Sequence, residues 1–323
     1  MRVAALILAA GLCARAQFKA TSTLVLAPTT VTTVEGKYVD GLRARDLILY
    51  DNGVPQPIQV EEAFNPLSLI VALQTSANSS AVLDKLGDLG VLLTHLVAGE
   101  RGETAIVSFS DETRLLRDFT TDSDKLAATL RHVGVQGNGS VALDTIQEAM
   151  RMFTRRPSEN RRVLLVIGEK HDRSSHLKLA EILQAAQRQN VLIYWVTYSP
   201  FLTAFTARQK TVKSLDPKKD GEPIPRDVAP GSLLSAFTEI GHALQSDAAD
   251  ELTRATGGRT LNFLRKDTLE QAVLAIGGEV HRQYIVSFQP RKGEPGLYHA
   301  IQVAVKDRPE LVVRTRAGYW AAQ

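Results

Sequence analysis

Two hydrophobic patterns divide this chain. From Leu67 onward, near-continuous apolar runs of strand length alternate with stretches whose apolar positions recur at helical spacing. The runs are LSLIVAL (67–73), TAIVSF (104–109), RVLLVI (162–167) and VLIYWV (191–196). They lack the polar alternation of a half-exposed strand and read as strands covered on both faces. Between the first two, Val82, Leu86, Leu89, Leu93 and Leu96 follow a 3.6-residue period and predict one helix, which Gly87 and Gly90 either weaken or allow to pack closely. Further helices are predicted over 122–132, capped by Asp122 or Ser123, and over 141–153, 177–189, 232–244, 247–256 and 268–282. The shorter, more polar run Thr113–Leu116 suits an edge strand, and Thr260–Phe263 and Tyr284–Phe288 add two more strands. This alternation predicts an α/β fold: a doubly wound, mostly parallel sheet of Rossmann type with helices on both faces.

The flanks are different. Residues 22–63 carry short β-rich runs with no helical period, and Leu47–Tyr50 leads into Asp51-Asn52-Gly53, a strong hairpin signal. At the other end, Ala300–Val305 and Leu311–Thr315 have no helical partner and are expected to pair with the N-terminal strands. The expected organisation is therefore a β-rich segment at 17–65, an α/β domain at 66–290, and C-terminal strands at 291–323 that complete a small β-rich subdomain. Pro217, Pro223, Pro225 and Pro230 break the pattern and predict a long, mobile surface insertion at 200–231.

The first residues read as an export signal. Met1-Arg2 is a positive start, Val3–Leu12 an apolar run, and Ala14-Arg15-Ala16 a small-x-small cleavage site. Cleavage after Ala16 would deliver the protein to the periplasm or beyond. The apolar run is about half the ~20 residues that a membrane-spanning helix needs, and no later stretch is long enough. The 323 residues are 44% hydrophobic and 23% charged, ordinary for a globular protein. The net charge of +3, from 38 basic and 35 acidic residues, argues against a nucleic-acid or membrane-surface binder. Arg2, Arg15 and the lone Cys13 all lie in the expected signal, so the exported chain is near-neutral and free of cysteine. That excludes a disulfide, a zinc–thiolate site and a CxxC redox pair.

Three places could carry chemistry: the loop Gln74–Ser79 after the first parallel strand, Gly139-Ser140 at the start of a helix, and Gly168–Asp172 after a buried strand. Ligands of open α/β sheets sit at the carboxyl ends of strands, beside helix N-termini. Gly137-x-Gly139-x-x-Ala142 imitates a dinucleotide fingerprint, but it follows a helix and loop where a true one follows a strand. There is no GxSxG, no HExxH and no cysteine nucleophile, and His95 and His242 read as packing or surface residues. No catalytic residue is assigned and no cofactor is expected.

The succession LSLIVALQTSANS, VSFSDETRLLRDFTTDSDKLAATL, GNGSVALDTI and RRVLLVIGEKHDRSS resembles a von Willebrand factor type A domain. With VTTVEGKYVDGLRARDLILYDNGVPQPI before it and YIVSFQP, LYHAIQVAVKD and LVVRTRAGYW after it, the chain is similar to the secreted bacterial von Willebrand factor A-related proteins common in Acidobacteria. The resemblance implies protein–protein interaction or adhesion, and a metal ion-dependent adhesion site of the pattern Asp-x-Ser-x-Ser, a distant Thr and a distant Asp. On that pattern Gln74 replaces the first Asp, Ser76 matches, Asn78 replaces the second Ser, Ser140 replaces the Thr, and Ile167 falls at the distal Asp. Mg²⁺ wants hard oxygen ligands with at least one carboxylate, and both carboxylates are missing, so a degenerate, metal-free site is expected. The partner-binding face is then Gln74, Ser76, Asn78, Ser140, Glu169 and Asp172. Two readings of Glu169 and Asp172 stand side by side: solvated loop charges, or replacement ligands that keep a divalent cation, with His171 and His176 able to join a transition-metal cluster. In the metal-free case, helix N-termini after Asn78 and Ser140 are expected to receive an acidic group of the protein partner directly.

Overall fold

In the computed structural model, which describes residues 24–62, 66–83, 86, 89–198, 247–263, 266–290 and 296–321, the run Leu67–Gln74 forms β5, buried along its whole length. It pairs in parallel with Glu103–Phe109 (β6) on one side and Arg161–Gly168 (β8) on the other. Val191–Thr197 (β9) and Thr260–Asn262 (β10) extend the sheet in parallel beyond β8. Thr113–Thr120 (β7), longer than its sequence suggests, lies antiparallel on β6 at the edge. The strand order is β10-β9-β8-β5-β6-β7. Alternation along β5 divides the core. Leu69, Val71 and Leu73 enter one apolar cluster and Ile70 and Ala72 the other. Both faces are therefore covered, which accounts for the missing polar alternation.

One face is covered by the short α1 (Ser80–Leu83), α2 (Leu89–Leu92), α3 (Ser123–Arg131) and α7 (Lys266–His281); the other by α4 (Ala142–Phe153), α5 (Leu179–Arg188) and α6 (Ala248–Thr256). Asp122 caps α3, its carboxylate accepting the N–H groups of Asp124 and Lys125. Of the helix expected over 82–96, α1 and α2 are α-helical, residues 84, 85, 87 and 88 lie outside the described residues, and α2 passes into a π-turn at Leu93–Ala98. Glycine lowers helix propensity, and Gly90 lies within α2. Gly90 also serves packing, because a Cβ on it would lie 2.6 Å from the Cα of Ala127 on α3. The expected signal at 1–16, the insertion at 200–231, the helix at 232–244 and His242 lie outside the described residues. Among the described residues no helix is long and apolar enough to cross a membrane.

Two antiparallel sheets share a third core. In one, β1 (Val25–Thr32) lies between β11 (Tyr284–Phe288) and β13 (Val312–Arg314), and β4 (Gln59–Glu62) pairs with β11. In the other, β2 (Leu47–Asp51) lies between β3 (Val54–Gln56) and β12 (Tyr298–Val305), and β14 (Gly318–Trp320) pairs with β12. Asn52 and Gly53, at φ 49° and 79°, make the tight β2–β3 turn. Ala27, Leu49, Val286, Phe288, Val303 and Tyr319 are among the side chains buried between these sheets.

Polar side chains join this β-sandwich to the amino end of β8, the turn before β9 and the end of α7. Arg161 donates to the Val280 carbonyl at 2.8 Å and to Gln283 Oε1 at 2.7 Å. The buried Glu279 accepts from the Tyr194 hydroxyl at 2.7 Å and pairs with Arg259 and Arg314. Arg316 donates to the carbonyls of Leu26, Gln187 and Gly318. The carboxyl ends of β5 and β8 lie at the opposite end of those strands. A Gly90→Ala substitution is expected to lower stability by about 1–2 kcal/mol, because overpacking against Ala127 outweighs the ~1 kcal/mol helix-propensity gain. Urea unfolding reads this directly; a more stable variant would contradict the close packing.

Candidate functional site

Strand order places the site. The chain leaves β5 for β6 on one side, and β8 lies on the other, so the loops after β5 and β8 diverge at their carboxyl ends. That is the crevice where open α/β sheets bind ligands.

Gln74, the last residue of β5, is buried and bridges the two loops. Its Oε1 accepts the Glu169 N–H at 2.7 Å. Its Nε2 donates to Ser76 Oγ at 2.9 Å and to Glu169 Oε2 at 3.4 Å. Gly168 makes room for this bridge, since a Cβ there would meet Gln74 Oε1 at 2.9 Å. Asn78 Nδ2 donates to Glu169 Oε1 at 3.1 Å. The Glu169 side chain is 3% exposed and pairs at 3.1 Å with Arg173, which is 50% exposed. Glu169 is thus not a solvated loop charge. It turns into the crevice and takes two amide donors and a guanidinium. Unpaired, a carboxylate so buried would be strongly unfavourable.

Deeper in the cluster, Ser76 and Ser79 hydroxyls lie 3.3 Å apart, and Ser79 Oγ is 2.5 Å from the Tyr198 hydroxyl. Burial pushes the Tyr198 phenol above its ordinary range; the Ser79 hydrogen bond opposes this and the Glu169 charge adds to it. Neither serine therefore meets a base that is active near neutral pH. Ile167, which the resemblance sets at the distal Asp, is buried in the apolar core.

Asp172 serves another purpose. Its carboxylate accepts the Leu143 N–H at 3.3 Å, at the N-terminus of α4, and the Ser175 N–H and hydroxyl at 3.3 and 2.7 Å. Ser175 Oγ accepts the Asp144 N–H at 3.2 Å. The α4 N-terminus, expected to be free for a partner, is thus capped by the chain's own loop. The buried Ser140 donates to the His171 carbonyl at 3.4 Å. At Asn78 the expectation of a free helix N-terminus also fails. A three-residue 3₁₀ turn leads into α1, and the Ala77 and Ser79 N–H groups already donate to Gly137 and Ser76 carbonyls. His171 pairs with Asp247 at 3.0 Å and His176 with Asp144 at 3.0 Å, on separate carboxylates rather than in one cluster.

The glycine-rich loop also has an internal ligand. Asp111, just past β6, accepts the N–H groups of Gly139 at 2.7 Å and Asn138 at 3.4 Å. A Cβ at Gly137 or Gly139 would collide with that carboxylate at 2.1 or 2.5 Å, and Gly137 has φ +67°. The loop that imitates a nucleotide fingerprint holds an aspartate of its own chain.

The oxygens that could face a cation are Ser76 Oγ, Ser140 Oγ and the Glu169 carboxylate. Gln74 and Asn78 turn N–H groups toward Glu169, and a hard cation needs oxygens in such places. Among the described residues, no three His, Cys, Asp or Glu side chains gather as metal ligands. This donor set does not fit Mg²⁺.

No family model matches the sequence, and no curated protein matches it. Among solved structures the chain is similar to a von Willebrand factor type A protein from Catenulispora acidiphila, with 9% identity over 95% of this chain and 76% of that one and a TM-score of 0.49. It is also similar to the vWF domain of the type V pili tip protein Mfa5 from Porphyromonas gingivalis (10% identity, 67% of this chain, 95% of that one, TM-score 0.42). A third is the conserved hypothetical protein BatB from Bacteroides thetaiotaomicron (16% identity, 66% of this chain, 97% of that one, TM-score 0.42). Solved von Willebrand factor A domains are thus among the structures it resembles. The α/β assignment stands on the strand order and two-sided helix packing of this chain itself.

Sequence reasoning missed Arg173, Ser79, Tyr198 and Asp111. For Arg173 the available signal is its spacing of four residues from Glu169. For Asp111 it is an acid at a strand end in a chain that also holds Gly137-x-Gly139. Glu169→Ala removes the acceptor shared by Gln74, Asn78 and Arg173 and is expected to lower stability by about 2–3 kcal/mol. A change within about 0.5 kcal/mol in urea unfolding, the range of an ordinary surface substitution, would contradict this view of the cluster.

Proposed function

We propose that this is an exported, non-enzymatic protein-binding module of adhesion type whose partner face is the crevice at the carboxyl ends of β5 and β8, and that the face works without a metal ion. The observation that carries the metal-free part is the orientation of Gln74. Its oxygen is taken by the Glu169 N–H, so its amide group donates toward Ser76 and Glu169. Where a metal-loaded site would place a cation against carboxylates, this cluster places amide donors and Arg173 against one carboxylate. The binding reading is supported by the location, because the two loops diverge at a topological switch point. Asn78 and Arg173 are exposed above the buried Gln74, Ser76, Ser140 and Glu169. The non-enzymatic reading is supported by how the polar groups are used. Glu169 and Asp172 hold loops and a helix end, and the serine hydroxyls end on a phenol that burial keeps protonated. Export is supported by the composition of residues 1–16.

Two measurements test this reading. A pull-down from the native envelope fraction should capture the same partner with and without EDTA. Loss in EDTA with recovery in Mg²⁺ would favour replacement ligation through Glu169 and Asp172, and absence of any specific capture would overturn the binding reading. Gln74→Asp sets a second carboxylate beside Glu169. The variant should melt lower than wild type in EDTA and rise with Mg²⁺ or Mn²⁺, since a ligand that binds only the folded state raises the midpoint. Wild type should show no such rise; a rise in wild type would count against a metal-free face.

A further inference from the structure

We infer that Arg173 is the group with which this face takes an acidic side chain, Asp or Glu, of its protein partner, while Glu169 holds it from below. The inference rests on the protein-binding reading above and adds the residue and its chemistry.

The pair is asymmetric. The carboxylate of Glu169 is 3% exposed and the guanidinium side chain of Arg173 is 50% exposed, so the negative end lies in the crevice and the positive end at its mouth. Glu169 Oε2 meets one terminal nitrogen of Arg173 at 3.1 Å, and both carboxylate oxygens are shared with Gln74 and Asn78. A guanidinium carries its N–H donors in a planar fork, so an edge not turned to Glu169 can meet a second carboxylate with paired, charge-assisted hydrogen bonds.

Arg173 is also held in place. Its backbone N–H and that of Ser174 donate to the Ser140 carbonyl at 3.1 and 3.2 Å, and its head is anchored on a buried charge. Ordering a long side chain on binding opposes association. Here much of that ordering is already present.

The other anion-accepting features of this edge are filled by acids of the chain itself. Asp111 occupies the amides of Asn138 and Gly139, and Asp172 with Ser175 occupies the start of α4. Lys170 is paired with Asp247 and Asp250, and His171 with Asp247. Each of these would have to give up an internal acid before it could receive an external one. Arg173 is paired with an internal acid too, but the pair is made through one terminal nitrogen and its side chain is half exposed.

The test is a selection from a phage-displayed random dodecapeptide library on the immobilised protein, followed by fluorescence anisotropy with the enriched peptides as probes. Enriched peptides should share an Asp or Glu whose replacement by Asn or Gln weakens binding by about tenfold or more, as loss of a charge-assisted hydrogen bond implies. Arg173→Gln should lose affinity to the same extent, and Arg173→Lys should recover part, since it keeps the charge without the fork. Because Arg173→Gln leaves Glu169 buried without its cation, the double variant Glu169→Gln with Arg173→Gln, which removes both charges, is measured beside it with melting curves for both. Peptides that lack an acid, or that bind the folded double variant as tightly as wild type, would overturn the role of Arg173 and leave the protein-binding reading standing. No enrichment over blank beads would overturn both.

Discussion

A carboxylate placed almost entirely out of water has to be neutralised or hydrogen-bonded, and at this crevice that requirement organises the surroundings of Glu169. The Glu169 N–H fixes the oxygen of Gln74, which directs the Gln74 amide to Ser76 and back to the carboxylate. Asn78 comes down from the neighbouring loop as a second amide donor, and Arg173 closes the cluster from the solvent side. Gly168 is part of the same constraint, because the approach of Gln74 leaves no room for a side chain at that position. With Gln74 at the end of β5, the crevice is organised from within. It becomes a self-neutralised cluster of donors about one anion.

The same economy appears around it. Asp111 fills the glycine-rich loop, and Asp172 fills the N-terminus of α4. Both features attract anions in general, through free N–H groups and the helix dipole. Here the anions are covalently part of the chain, and each ties a loop that leaves a strand to the approach or the start of α4. The crest is consequently cross-linked by carboxylates: β6 to the loop before α4, β8 to α4, and β8 to β5. The β-sandwich adds support from elsewhere, where Arg314 pairs with Glu279 on α7, Gln283 takes Arg161 of β8, and Arg316 reaches Gln187 of α5 and Asn190 before β9.

Much of the architecture is legible in the hydrophobic pattern, because a strand covered on both faces has to be apolar throughout. LSLIVAL, RVLLVI and VLIYWV all lie in central strands. The polar character of β7 likewise marks it as an edge. The π-turn at Leu93–Ala98 is less legible, since periodicity registers which residues face the core and not which hydrogen-bonding pattern the backbone adopts. At the site, that the residues at 74 and 167 are not acids is visible in the sequence alone. The fate of Glu169 is not, because a charged residue in a loop is solvated unless the backbone turns it inward, and that turn depends on the long-range bond between Gln74 and the Glu169 N–H. Arg173 is hidden for the same reason: its pairing follows the path of an irregular loop. The free helix ends expected from sequence fail because a cap supplied about thirty residues later, by Asp172, is invisible to local reading.

The central claim is that Glu169 is satisfied by Gln74, Asn78 and Arg173, and needs no cation. Paramagnetic Mn²⁺ tests it most directly, since a bound ion broadens the amide resonances nearest to it in a ¹H–¹⁵N spectrum. Titration of the wild-type protein should leave the amides of Gln74, Ser76, Asn78 and Glu169 no broader than those of exposed acids elsewhere. Selective broadening of those four at low Mn²⁺, reversed by EDTA, would contradict the account.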